Sequence, residues 1–143
     1  MLDVSDVMTQ RRSLVTITPD ATVQEARRTM AAHSIRHLPV VDDAGGLIGL
    51  VSQTDVLVAG ADDRGPVADI MVRDMDTVDE RSNLRHAAQL MLRRKRSCLP
   101  VMRERELRGI ITDADFLGVA IALMEQLESA EPEEAEALDD GVT

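Results

Sequence analysis

The chain has 143 residues, with 26 Asp and Glu against 16 Lys and Arg, a formal net charge of −10, one cysteine and one aromatic residue. A chain of this length buries close to 70% of its unfolded surface, enough for one real core. The lone Cys98 excludes an internal disulfide, and the lone Phe116 excludes the aromatic stacking platform of single-strand nucleic-acid binders.

The acidity is local. The last nineteen residues hold eight acids and no base, which leaves 18 acids against 16 bases before them and no basic footprint for nucleic acid. The first residues show neither a basic n-region nor an apolar h-region, so no signal peptide is expected. The longest uninterrupted apolar stretch, residues 116–124, is too short to span a bilayer. With the single cysteine, these features lead us to expect a soluble, cytoplasmic protein without a membrane partner.

Residues 4–8 predict a short lead-in helix and 11–13 a loop, followed by a β-rich run over 14–18. Thr22 and Glu25 form the S/T-x-x-E pattern of a capping box, and Val23, Ala26 and Met30 recur at helical spacing behind it. Residues 35–41 predict a strand whose Pro39 suggests an edge or a strand end. The DDAGG stretch at 42–46 predicts a hairpin turn into a returning strand over 47–52, with a helix from 54 to 59. Residues 60–66 read as a linker.

The same succession then recurs: a β segment near 75–78, a helix over 83–94, and strands 97–102 and 107–112 joined by a charged RERE turn. A last helix runs from 113 to about 129, with Phe116, Val119/Ala120, Leu123/Met124 and Leu127 on one face. Beyond it the composition predicts disorder.

The recurrence is an internal repeat. VSDVM at 4–8 matches VADIM at 67–71, HLPV at 37–40 matches CLPV at 98–101, and GLVSQTD at 49–55 matches GIITDAD at 109–115. In the last pair Ser52 or Thr112 is placed to cap the following helix, with Asp55 or Asp115 on its first turn, where exposed N–H groups favour negative charge. We assign residues 1–62 to a first repeat, 63–128 to a second and 129–143 to an acidic disordered tail. The expected fold class is α/β (α+β), two tandem β-α-β-β-α repeats with pseudo-two-fold symmetry in one compact module.

Each copy, with its D-V/I-M opening, L-P-V strand and G-h-h-S/T-x-x-D close, resembles a cystathionine-β-synthase (CBS) motif, over about residues 4–120. Two in tandem resemble a Bateman module, a family known mainly for binding adenosine-containing ligands between its two motifs. The resemblance implies that Asp55 and Asp115 accept hydrogen bonds from the ribose diol, and that Ser52 and Thr112 face the ribose or first phosphate. Leu50 and Ile110 would cover the adenine. It pairs Asp115 with the 8–12 loop and with Ile35, Arg36 and His37, and Asp55 with 71–75, Arg96 and Ser97.

The implied protein is a sensor, not an enzyme. It would bind AMP, ADP or ATP without a metal, form a homodimer and act on an unknown effector protein in trans. The residues leave two alternatives open: both aspartates as helix caps in a constitutive assembly module with vestigial clefts, or RNA binding through the RRKR run at 93–96. That run also suits a helix C-terminus, which makes nucleic acid the weaker reading. His33 and His37 are four apart but divided by a helix-to-strand change, so no metal site is expected of them. Cys98 reads as a small core residue.

Overall fold

A computed structural model describes residues 1–130. The tail expected over 129–143 lies outside the described residues from 131 onward.

Helix α1 (Val23–His33) begins where the capping box predicts. Thr22 Oγ1 accepts from Glu25 N at 3.0 Å, and Glu25 Oε2 accepts from Thr22 N at 3.3 Å. Its buried side chains are Val23, Ala26 and Met30. Ser34 then adopts φ 54°, and Ile35 N donates to Met30 O, which closes the helix. For that reason β2 (His37–Val41) begins two residues later than the expected strand. Helix α3 (Leu84–Arg94) repeats the design: Asn83 caps it, Lys95 takes φ 54°, and Arg96 N donates to Met91 O.

The β-rich run at 14–18 contracts to a single residue. Ile17 bridges Val40 in parallel, donating to Pro39 O and accepting from Val41 N. A 3-10 turn at Arg11–Ser13 and the proline at position 19 leave room for no more. Pro39, with no N–H to offer, turns its backbone toward this short contact, on the side of β2 away from β3.

Strand β2 pairs antiparallel with β3 (Leu47–Ser52), and β5 (Cys98–Arg103) with β6 (Glu106–Thr112). The four-stranded sheet has the order β1-β6-β5-β4, with β1 at Thr9–Gln10 and β4 at Val78–Asp79. The other sheet follows the same plan reduced to bridges: Val72 on Leu50, β3, β2, and Ile17 on Val40. This is the pseudo-two-fold relation expected from the repeat. Helices α2 (Gln53–Ala59) and α4 (Asp113–Ala130) follow β3 and β6.

The lead-in segments exchange places. Val67 and Met71 are buried with Ile17, Val23, Leu38 and Val51 of the first repeat, whereas Val4 is buried with Val78, Leu84, Leu99 and Ile111 of the second. Backbone bonds fix the exchange: Val67 N donates to Ala21 O at 2.7 Å, and Val4 N to Ser82 O at 2.9 Å. Fully burying a valine side chain contributes roughly 1.5–3 kcal/mol, so each repeat depends on a segment from the other.

Helix α4 buries only part of the apolar face expected of it, and Leu117 and Ile121 add exposed apolar surface beyond that face. Phe116 and Val119 pack on the second core, but Leu117, Ile121, Leu123, Met124 and Leu127 are each more than half exposed. At 1.5 Å per residue the helix extends about 27 Å, well past the core that its first turns touch.

Candidate functional site: two clefts between the repeats

The repeated G-h-h-S/T-x-x-D segments run from strand end into helix, and their hydrogen bonds are built at the turn. Ser52 Oγ accepts from Asp55 N at 3.1 Å, and Asp55 Oδ2 accepts from Ser52 N at 2.8 Å. In the second copy Asp115 Oδ2 accepts from Thr112 N at 2.8 Å, while the Thr112 hydroxyl donates to the same oxygen at 3.3 Å. Thr112 is thus turned toward the carboxylate instead of capping α4 as expected. In both copies Oδ1 of the aspartate has no hydrogen-bond partner among the described residues. Closing the helix occupies one oxygen and leaves the other available.

The glycines that open these segments permit a close crossing. A Cβ on Gly109 would collide with the Thr9 carbonyl oxygen, and one on Gly49 with the Met71 side chain. These contacts let the lead-in of one repeat lie against the last strand of the other, with Thr9 opposite Ile110 and Val72 opposite Leu50.

Two clefts result. The first, about 230 Å³, brings Ile110 and Thr112 against Ile35, Arg36 and His37, with Thr9 at its side. The second, about 210 Å³, brings Leu50, Ser52 and Asp55 against Met75, Arg96 and Ser97. Nine of the ten candidate residues therefore line one cleft or the other. Asp115 is the exception: the wall beside it is Asp113 and Ala114, and its carboxylate is folded back on Thr112.

Charge divides the clefts. Arg36 makes no ion pair among the described residues and opens on the first cleft. In the second, Arg96 and Arg94 both bind Asp76 Oδ2, at 2.8 and 3.2 Å. Hydrogen bonds from Arg96 and then Arg94 hold the Asp76 carboxyl below its ordinary value of 3.8. Sequence reasoning missed Asp76. It directly precedes Thr77, so it occupies the position matching Val15, the residue before Thr16 in the first repeat, which also lines a cleft; the repeat alignment carried the signal.

His37 falls where no local pattern places it. Its ring lines both clefts, and Nε2 lies 3.0 Å from Ser97 Oγ of the other repeat. Burial pushes the imidazole below its ordinary value of 6.5; Asp113 and Asp55 oppose this, and Arg36 adds to it. Cys98, the residue matching His37, is buried, and its thiol is pushed up to about 12, chiefly by burial. It is a core residue and a poor nucleophile at neutral pH.

The sequence model for the CBS domain matches residues 4–62 and again 67–122. The chain belongs to the CBS domain family. A Vibrio cholerae protein named for acetoin utilization (AcuB) is 36% identical, with a TM-score of 0.79 over 90% of this CBS pair and 97% of that chain. CBSX2, solved in complex with AMP, is 29% identical, with a TM-score of 0.78 over 87% and 99%. The CBS domain pair of protein MJ0100, solved with 5′-methylthioadenosine and S-adenosyl-L-methionine, is 28% identical, with a TM-score of 0.79 over 85% and 98%.

Among curated relatives, the match to the homoserine O-acetyltransferase of Methanocorpusculum labreanum is 37% identical over 101 residues and spans 20% of that enzyme's length. Among the described residues, no helix is long and apolar enough to cross a membrane.

Proposed function

We propose that this CBS pair is a regulatory module, not an enzyme, that binds an adenine nucleotide (AMP, ADP or ATP) between its repeats and acts on a partner protein in trans. One observation carries the reading: each cleft sets an apolar residue and a hydroxyl residue of one repeat against the strand entrance of the other, with the free oxygen of Asp55 in the wall of the second and that of Asp115 just behind Thr112 of the first. A free carboxylate oxygen can accept from a ribose hydroxyl, and such charge-assisted bonds contribute about 1.5–3 kcal/mol each where water is excluded. Asp115 reaches its cleft by a side-chain turn away from Thr112. Leu50 and Ile110 supply aliphatic cover for a purine in place of the missing aromatic. The AMP in CBSX2 and the adenosyl ligands in MJ0100 support an adenosine-containing ligand.

Arg36 favours a phosphate over a neutral tail, because a guanidinium pairs with phosphate through parallel hydrogen bonds. Ligand would draw the repeats together and shift the population of surfaces presented to the partner. The exposed face of α4 (Leu117, Ile121, Met124 and Leu127) favours a homodimer, since a C2 pair covers such a face on both copies at once.

Differential scanning calorimetry with AMP, ATP, adenosine and S-adenosylmethionine tests the binding. A nucleotide at 100 times its dissociation constant adds about 2.7 kcal/mol of stability. No shift with any of the four at millimolar concentration would overturn the reading. It would favour the alternative that the same α4 face supports, a constitutive assembly module with vestigial clefts.

A further inference from the structure

One side chain belongs to both clefts. The His37 imidazole is the only residue shared by their walls among the described residues, and it also borders the smaller polar cavity between them, with Arg36, Ser52, Ser97 and Asp113. Its Nε2 lies 3.0 Å from Ser97 Oγ, so the ring bridges the repeats at the residue the two clefts share.

We infer that His37 couples the two clefts, so that an anionic ligand in one strengthens binding of an anionic ligand in the other. This rests on the adenine-nucleotide reading of the clefts.

The charged groups facing the ring are Arg36 beside it, Asp113 at the start of α4 and Asp55 on α2; across the second cleft stand Asp76, Lys95 and Arg96. Burial and Arg36 keep the imidazole neutral at neutral pH against the pull of the two aspartates. A phosphate beside Arg36 in the first cleft offsets both, and the ring takes up a proton. The imidazolium so formed also faces the second cleft, where Asp76 already occupies Arg96 and Arg94. A second phosphate then meets a cation that the first has charged. By linkage the effect is reciprocal. Adenosine, with no charge, leaves the imidazole neutral and the clefts independent.

Calorimetric titration of the full chain with AMP at pH 7, in HEPES and in Tris, reads proton uptake from the difference in heats. We expect uptake of a fraction of a proton with AMP, none with adenosine, and two AMP per chain with the second bound several-fold more tightly. In His37→Gln, which can still hydrogen-bond Ser97, AMP binds more weakly, the two affinities become independent and the extra uptake vanishes. Titration of the AMP phosphate is common to both proteins and subtracts.

Equal uptake in the two proteins, or saturation at one AMP per chain, would overturn the coupling and leave nucleotide binding intact. An absence of any AMP heat would overturn the nucleotide reading and the coupling together. If His37→Gln fails to fold, proton NMR of the His37 ring decides: a raised pKa with AMP supports the coupling, and an unmoved titration refutes it.

Discussion

Arg96 Nε lies 2.8 Å from Asp76 Oδ2, with Arg94 on the same oxygen, so the guanidinium that lines the second cleft is already paired. The two guanidiniums are exposed and the carboxylate is partly covered, and an ion pair this close to solvent contributes little to stability. Asp76→Asn should release Arg96 and tighten AMP several-fold while leaving adenosine unchanged. Loss of AMP affinity in this variant would show that Asp76 orders Arg96 for the ligand instead of withholding it.

Asp55 and Asp115 each close a helix and each offer a free oxygen, and the two roles separate by experiment. Loss of the capping contact costs about 0.5–2 kcal/mol, so Asp55→Ala and Asp115→Ala should both lower the melting temperature. Because Arg36 is unpaired and Arg96 is not, Asp115→Ala should weaken AMP more than Asp55→Ala. Equal losses by calorimetry would refute this asymmetry. Unchanged affinity in both would leave two helix caps and nothing more.

Gly109 and Gly49 differ in what a methyl group would strike. At Gly109 the obstacle is the Thr9 carbonyl, backbone held in a ladder; at Gly49 it is the flexible end of Met71. Overpacking that forces backbone to move costs about 1–3 kcal/mol. Gly109→Ala should therefore destabilise the protein clearly more than Gly49→Ala in chemical denaturation. The reverse order would mean that the lead-in segment shifts freely.

The nucleotide-free protein should lose stability as pH falls below the ordinary histidine value of 6.5. Burial lowers the folded-state pKa of His37, so between that lowered value and 6.5 the unfolded chain binds the extra proton, and stability rises with pH. Once pH is below the folded-state value both states are charged, and the loss levels off. Melting curves from pH 5 to 8 should show the dependence in the wild type and a weaker one in His37→Gln. An identical profile would assign the effect to other groups.

Each repeat takes its lead-in segment from the other, so neither half should fold alone. Residues 63–130 lack Val4 and the β1 pairing on β6, and residues 1–62 lack Val67 and Met71. We expect each fragment to melt without a cooperative transition, and the mixture to recover one. A cooperative transition in either fragment would contradict this.

Much of the molecule was legible in the sequence because the governing interactions are short. Thr22 and Glu25 lie three residues apart, as do Ser52 and Asp55, and Asp42 accepts from Ala44 N and Gly46 N within a single turn. Such contacts need only local φ and ψ, so residue types at fixed spacing determine them, and tandem matching of those spacings determined the repeat.

The resemblance to a CBS pair, not the residues alone, supplied the expectation that each cleft draws on both repeats. Tertiary structure decided the rest. The exchange of Val4 for Val67 turns on which of two equivalent cores each segment enters, and local rules weigh both alike. Asp76 against Arg96 spans 20 residues and His37 against Ser97 spans 60. Their meeting depends on how two folded copies sit against each other across the pseudo-two-fold axis. That packing is set by the summed burial of both cores, and no short stretch of chain encodes it.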